Sequence, residues 1–161
     1  MIFRGCLKII KLDLVMIVTK ELYEKRMAVF HKICHTEKLR VTPQRLEVFS
    51  ELARSGDHPS AETLYQRIAK RLPTITLDTV YRSLGKLEEV GLVLRVSVVA
   101  SAMRYEVNTE HHHHFVCRKC GAILDLHSAE LDAVQAVADL PEAYQADWAQ
   151  VELRGLCASC G

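Results

Sequence analysis

Apolar residues recur between Lys20 and Lys38 at the three-and-four spacing of a helix that buries one face: Leu22, Met27, Phe30, Ile33 and Cys34. The next stretch, "VTPQRLEVFSELARSG", carries its own punctuation. Thr42 suits a helix N-cap, Pro43 the first helical position and Gly56 the end. "HPSAETLYQRIAKRLP" repeats the plan, with Ser60 as cap, Glu62 in the positive first turn and Pro73 as stop. "TITLDTVYRSLGKLEEVG" predicts a further helix, capped near Thr76 or Asp78 and closed by Gly91. The period then changes to two. "LVLRVSVVASAMRYEV" is β-branched, with a small-residue turn at residues 100–102, and reads as a hairpin. Helices followed by a hairpin predict a winged helix-turn-helix whose last helix enters a DNA major groove.

The remainder reads strand, turn, strand, helix, strand. "HFVC" and "AILDL" flank a tight turn, "SAELDAVQAVADLP" is helical with Ser128 as cap, and "ADWAQVELRGLC" is a strand. The fold class is therefore α+β: a winged helix-turn-helix domain over residues 20–107 and a small α/β module over 108–161. Residues 1–19 form an N-terminal extension. Arg4, Lys8, Lys11 and Asp13 interrupt its apolar run, so it makes neither a membrane span nor a signal peptide. It reads as the product of an upstream start, the start proper being Met16 or Met27.

Charge sharpens this division. The chain has 161 residues and a net charge of +1, but residues 1–108 hold 18 Lys/Arg against 12 Asp/Glu and residues 109–161 hold 3 against 8. A polyanion would meet the front module. With 49% hydrophobic and 25% charged residues, disorder and low-complexity classes are excluded.

Four of the six cysteines form two Cys-x-x-Cys pairs, Cys117/Cys120 and Cys157/Cys160. Two such turns bring four thiolates into a tetrahedron, the signature of structural Zn²⁺. The first pair follows "EHHHH". On an extended segment alternate side chains share a face, so His112 and His114 point one way and His111 and His113 the other. Glu106, six residues before His112, and Asp125, on the next strand, are candidate partners for the His112/His114 pair. A nitrogen–oxygen ligand set of this kind suits Fe²⁺, Mn²⁺, Zn²⁺ or Ni²⁺.

The segments "VTPQRLEVF", "HPSAETLY", "TLDTVYRSLGKLEEVGLV", "RYEV", "HHHHFVCRKCGAILDL" and "CASC" together resemble the ferric uptake regulator family of metal-dependent transcription repressors, over residues 22–161. The resemblance implies a cytoplasmic homodimer on a double-stranded DNA operator, with no enzymatic activity and no membrane attachment. It implies structural zinc on Cys117, Cys120, Cys157 and Cys160. It implies a regulatory Fe²⁺ or Mn²⁺ on His58, Glu106, His112, His114 and Asp125. His111, His113 and Asp132 match a further metal site of the family, but Ala149 stands where a fourth ligand, histidine, is expected, so that site is expected to be incomplete. Tyr81 and Arg82 match residues that contact DNA in the family. Lys86, one turn after Arg82, shares its helix face, and Arg45 is placed to meet phosphates.

Asp125, where a glutamate would suit iron-uptake control, resembles the peroxide-sensing branch, and peroxide is then the one small-molecule signal. Glu106 and Arg82 resemble the iron-uptake branch, which is the alternative. Two other classes make distinct demands. A metalloenzyme needs an open coordination position, a substrate pocket and a base, and no spare loops supply them. A zinc-dependent redox chaperone predicts zinc release on oxidation without sequence-specific DNA binding.

Overall fold

The computed structural model describes residues 18–134, 141, 144 and 149–161. They fall into two compact units that divide between Thr109 and Glu110.

The first unit holds four helices and a hairpin: α1 (Lys20–Thr36), α2 (Pro43–Arg54), α3 (Ala61–Ala69), α4 (Leu77–Glu89), β1 (Leu94–Val99) and β2 (Ala102–Glu106). Each helix starts where its cap chemistry directs. The hydroxyls of Thr19, Thr42, Ser60 and Thr76 accept the N–H three residues on, which satisfies a donor that the first turn leaves open. Of the two candidate caps for α4, Thr76 is the one used, and Asp78 sits in the first turn. α4 ends in a Schellman turn: Leu92 N–H bonds Leu87 C=O, Gly91 N–H bonds Glu88 C=O, and Gly91 takes φ 70°. α2 stops at Arg54 rather than at Gly56, because Ser55 turns extended and its N–H closes on Leu52 C=O.

The stripes read from the sequence meet in one core. Phe30 stacks on Phe49 at 4.5 Å between ring centres, with Val48, Leu52, Leu64, Ile68, Val80, Leu84 and Leu87 packed around them. α2 packs on α4, α3 and α1, so α4 keeps its opposite face in solvent. The β1–β2 turn places Ala100 and Ser101 at φ 51° and 64°, which is the backbone of a two-residue primed turn.

The second unit is built on a three-stranded sheet in the order β4-β3-β5, with β3 His113–Cys117, β4 Ile123–Leu126 and β5 Glu152–Gly155. β3 pairs antiparallel with β4 and parallel with β5. α5 (Ala129–Asp132) follows β4, capped by Ser128. The remainder of the helix expected in "SAELDAVQAVADLP" lies largely outside the described residues. The last strand is shorter than expected, since Ala149 and Gln150 are not strand. β5 is an edge strand with Leu153 and, just beyond it, Leu156 exposed. Among the described residues no helix is long and apolar enough to cross a membrane.

Candidate functional site

The two Cys-x-x-Cys turns lie at the ends of β3 and β5, which the parallel pairing of Cys117 with Gly155 brings side by side. The four sulfurs all lie within 4.8 Å of one another, and those of Cys120 and Cys157 are 3.7 Å apart. That is far too long for a disulfide. It matches a tetrahedron with metal–sulfur bonds of about 2.3 Å, whose edges are about 3.8 Å. The backbone N–H groups of Cys120 and Cys157 pull the Cys117 thiol down to about 6. Hydrogen bonds with the Cys157 and Cys120 sulfurs push the Cys160 thiol up to about 12, and a cation at the centre lets all four ionise. The donor set fits zinc.

The histidine run divides as β geometry requires. His112 and His114 stack edge to face at 4.6 Å, with their Nε2 atoms 3.0 Å apart, and His114 Nε2 lies 3.8 Å from Asp125 Oδ1. The antiparallel register sets Asp125 directly across from His114. A right-angled pair of metal–nitrogen bonds of about 2.1 Å spans about 3.0 Å, so the two nitrogens fit adjacent corners of an octahedral ion. His112 Nδ1–H donates to Glu110 C=O at 2.7 Å, which leaves the Nε2 lone pair for a ligand. The Gln150 amide lies 3.1 Å from His114 Nδ1. The same amide nitrogen, Nε2, lies 3.4 Å from the His112 carbonyl, so the Gln150 amide N–H group serves both histidines of the pair. In the first unit His58 Nε2 lies 3.4 Å from Glu106 Oε2.

The other face differs. His111 and His113 both reach Asp132 Oδ1 at 3.1 Å. Val151 N–H donates to His113 Nδ1 at 3.1 Å, so the proton of a neutral ring sits on Nε2, the nitrogen facing Asp132. A metal there would have to displace that proton. Burial pushes the His113 imidazole down, against the Asp132 hydrogen bond. Ala149 offers no donor atom. His111, His113 and Asp132 nonetheless bring three ligand atoms within 4.8 Å of one another.

On α4, Arg82 and Lys86 are exposed and paired with their own helix's acids, Asp78 at 2.8 Å and Glu89 at 2.7 Å. Such surface pairs hold weakly and open readily. A groove of about 490 Å³ runs between the start of α2 and α4, with Gln44 and Arg45 on one side and Thr79, Arg82 and Lys86 on the other. Tyr81 does not line it. Its hydroxyl donates to the Glu62 carboxylate, which pushes the phenol up to about 12.

Comparison with known proteins agrees with this geometry. The model of the ferric uptake regulator family matches residues 36–154. The chain belongs to the ferric uptake regulator family. It is 33% identical over 122 residues to the peroxide-responsive repressor PerR of Staphylococcus epidermidis, covering 76% of this chain and 81% of that protein. Among solved structures, the Campylobacter jejuni peroxide stress regulator is 33% identical with a TM-score of 0.63, covering 83% of this chain and 98% of its own. The Helicobacter pylori ferric uptake regulator Fur is 26% identical with a TM-score of 0.69, covering 90% and 96%. A zinc uptake regulator complexed with zinc and DNA is 26% identical with a TM-score of 0.64, covering 85% and 93%.

Within this family frame, several supporting residues carried no sequence signal. Gln150 and Val151 reach the histidines only because β5 runs parallel to β3. Glu62 meets Tyr81 from 19 residues away, and Arg67 grips Asp57 beside His58. Each depends on tertiary register that a linear spacing does not contain.

Proposed function

We propose that the protein is a metal-dependent transcriptional repressor that binds a DNA operator as a homodimer, releases it on exposure to peroxide, and acts in the cytoplasm. The observation that carries the reading is the His112–His114 pair, with Nε2 atoms 3.0 Å apart beside Asp125 and Nδ1 of His112 already tied to a carbonyl. His58 and Glu106 from the DNA-reading unit complete the ligand set for Fe²⁺ or Mn²⁺. Zinc on the four cysteines ties the ends of the second unit together and stays in place. The edge strand β5, with Leu153 and Leu156 exposed, offers a surface for a second copy. The family consists of transcription regulators, which argues against an enzymatic role.

One ion held by ligands from both units fixes their relative angle. In a dimer that angle sets the separation of the two α4 helices, which must match the half-site spacing of the operator. Metal affinity and DNA affinity then rise together by a shared coupling energy. Arg82, exposed in the middle of α4, reads bases. Lys86 and Arg45, across the groove from each other, meet phosphates. Arg82→Ala is expected to cost about 1–3 kcal/mol of operator binding and to relax discrimination, whereas Lys86→Ala flattens the salt dependence by about one charge. Anisotropy titrations on matched and mismatched duplexes at several salt concentrations measure both.

The peroxide signal is supported by Asp125 among the ligands and by the likeness to peroxide-responsive regulators. Bound ferrous iron would supply electrons to peroxide, with a coordinating histidine as the residue oxidised. The chain's own part is to hold His112 and His58 at the ion and to lose the ligand once it gains oxygen. Glu106, Arg82 and the likeness to the Helicobacter pylori Fur favour the second reading, control of iron uptake. Peroxide treatment of the Fe²⁺ and Mn²⁺ forms, followed by peptide mass spectrometry, decides between them. The proposal expects a one-oxygen gain on His58 or His112 with iron alone, together with lost operator binding. Intact histidines with reversible, iron-dependent binding would favour iron-uptake control.

A further inference from the structure

We propose that Asp57, Arg67 and Arg104 are positioning residues for His58, holding its loop in a ligand-ready shape. The inference rests on His58 serving as a regulatory metal ligand.

His58 takes φ 50°, a left-handed conformation that residues other than glycine seldom adopt. It also precedes Pro59, which biases the residue before it towards extended backbone. Left to itself, this dipeptide would straighten and carry the imidazole away. Contacts from two elements prevent that. From α3, Arg67 sets its two terminal nitrogens against both Asp57 oxygens at 2.6 and 3.2 Å, and Nη1 also donates to Ser55 Oγ at 3.2 Å. One guanidinium thus fixes the approach to His58 at two points. A forked ion pair of this kind gives directional restraint that a single charge contact lacks. From β2, Arg104 donates to the His58 carbonyl at 3.2 Å, and Tyr105 N–H donates to Pro59 C=O at 3.2 Å. Ser60 is bridged to Arg104 as well.

The residues on both sides of His58 are therefore fastened, Asp57 through its side chain to α3 and Pro59 through its carbonyl to β2. β2 is the strand that ends in Glu106. The fastening holds His58 Nε2 3.4 Å from Glu106 Oε2, so two proposed ligands from distant parts of the sequence sit together. An ion entering such a half-site spends little of its binding energy on ordering the loop. The clamp would thereby set the metal concentration at which the protein switches.

The test titrates Mn²⁺ into the zinc-loaded dimer without DNA, with free Mn²⁺ followed by electron paramagnetic resonance. Asp57→Ala and Arg67→Ala are each expected to raise the half-saturating Mn²⁺ by roughly 10–100-fold, and Arg104→Ala to act in the same direction. Zinc content and operator affinity at saturating Mn²⁺ stay at wild-type values. The charge-reversed double variant, Asp57→Arg with Arg67→Asp, recovers part of the lost affinity. Wild-type Mn²⁺ titration of both single variants would overturn the proposal. So would operator binding that fails even at saturating Mn²⁺, since the pair would then support the DNA-reading fold and not the ligand. His58→Ala, run alongside, separates the two levels: wild-type Mn²⁺ affinity in that variant would remove His58 as a ligand altogether.

Discussion

Cys117→Ser is expected to release the zinc, unfold the second unit and abolish the dimer. Val116, Cys117, Ile123 and Leu126 are the buried apolar side chains among that unit's described residues. The apolar side chains buried among the described residues do not by themselves offset the conformational entropy of ordering the chain around them. A zinc site of four thiolates contributes roughly 10–16 kcal/mol in small domains, enough to decide folding. Cys117 is the buried member of the four and accepts Cys157 N–H at 3.4 Å, so its sulfur joins the two turns even before metal chemistry is considered. The serine variant should elute as a monomer or aggregate, lack zinc by elemental analysis and lose the circular dichroism of its sheet. The first unit has its own core around Phe30 and Phe49 and should keep its helical signal. A zinc-free dimer with intact spectra would show that packing alone suffices.

The outline of both units was legible in the sequence because their local signals agree with their tertiary roles. Thr42–Pro43 and Ser60 start helices for reasons within three residues, and Gly91 ends α4 through a backbone angle glycine adopts freely. The alternation of the histidine run carried over, with His112 stacked on His114 and His111 on His113, although β3 itself begins only at His113. What the sequence lacked was register. Nothing local says that β5 runs parallel to β3, so the roles of Gln150 and Val151, and the proton fixed on His113 Nε2, became visible only in three dimensions. Gly56 misled for a physical reason. Serine at position 55 can turn extended and close the helix itself, so the glycine two residues beyond Arg54 was not needed as the stop. Likewise, Tyr81 and Arg82 are adjacent in sequence, and helical geometry turns them apart, Tyr81 to Glu62 and Arg82 to the groove.

The second large effect concerns the switch itself. His58→Ala is expected to abolish metal-dependent operator binding while leaving the zinc, the dimer and the helical core intact. His58 is the imidazole that the DNA-reading unit contributes to the proposed ligand set, and without it the ion is held by the second unit plus Glu106 alone. With Glu106 as the first unit's one remaining contact, the unit can pivot about the ion, and the coupling between metal and DNA is lost even where some metal still binds. The most direct measurement is the affinity of the zinc-loaded dimer for its operator duplex, by fluorescence anisotropy, with Mn²⁺ present and withheld, in wild type and His58→Ala. The account predicts a gain of roughly 5–150-fold with Mn²⁺ in the wild type and no gain in the variant. Equal gains in both proteins, or a wild-type affinity indifferent to Mn²⁺, would contradict it.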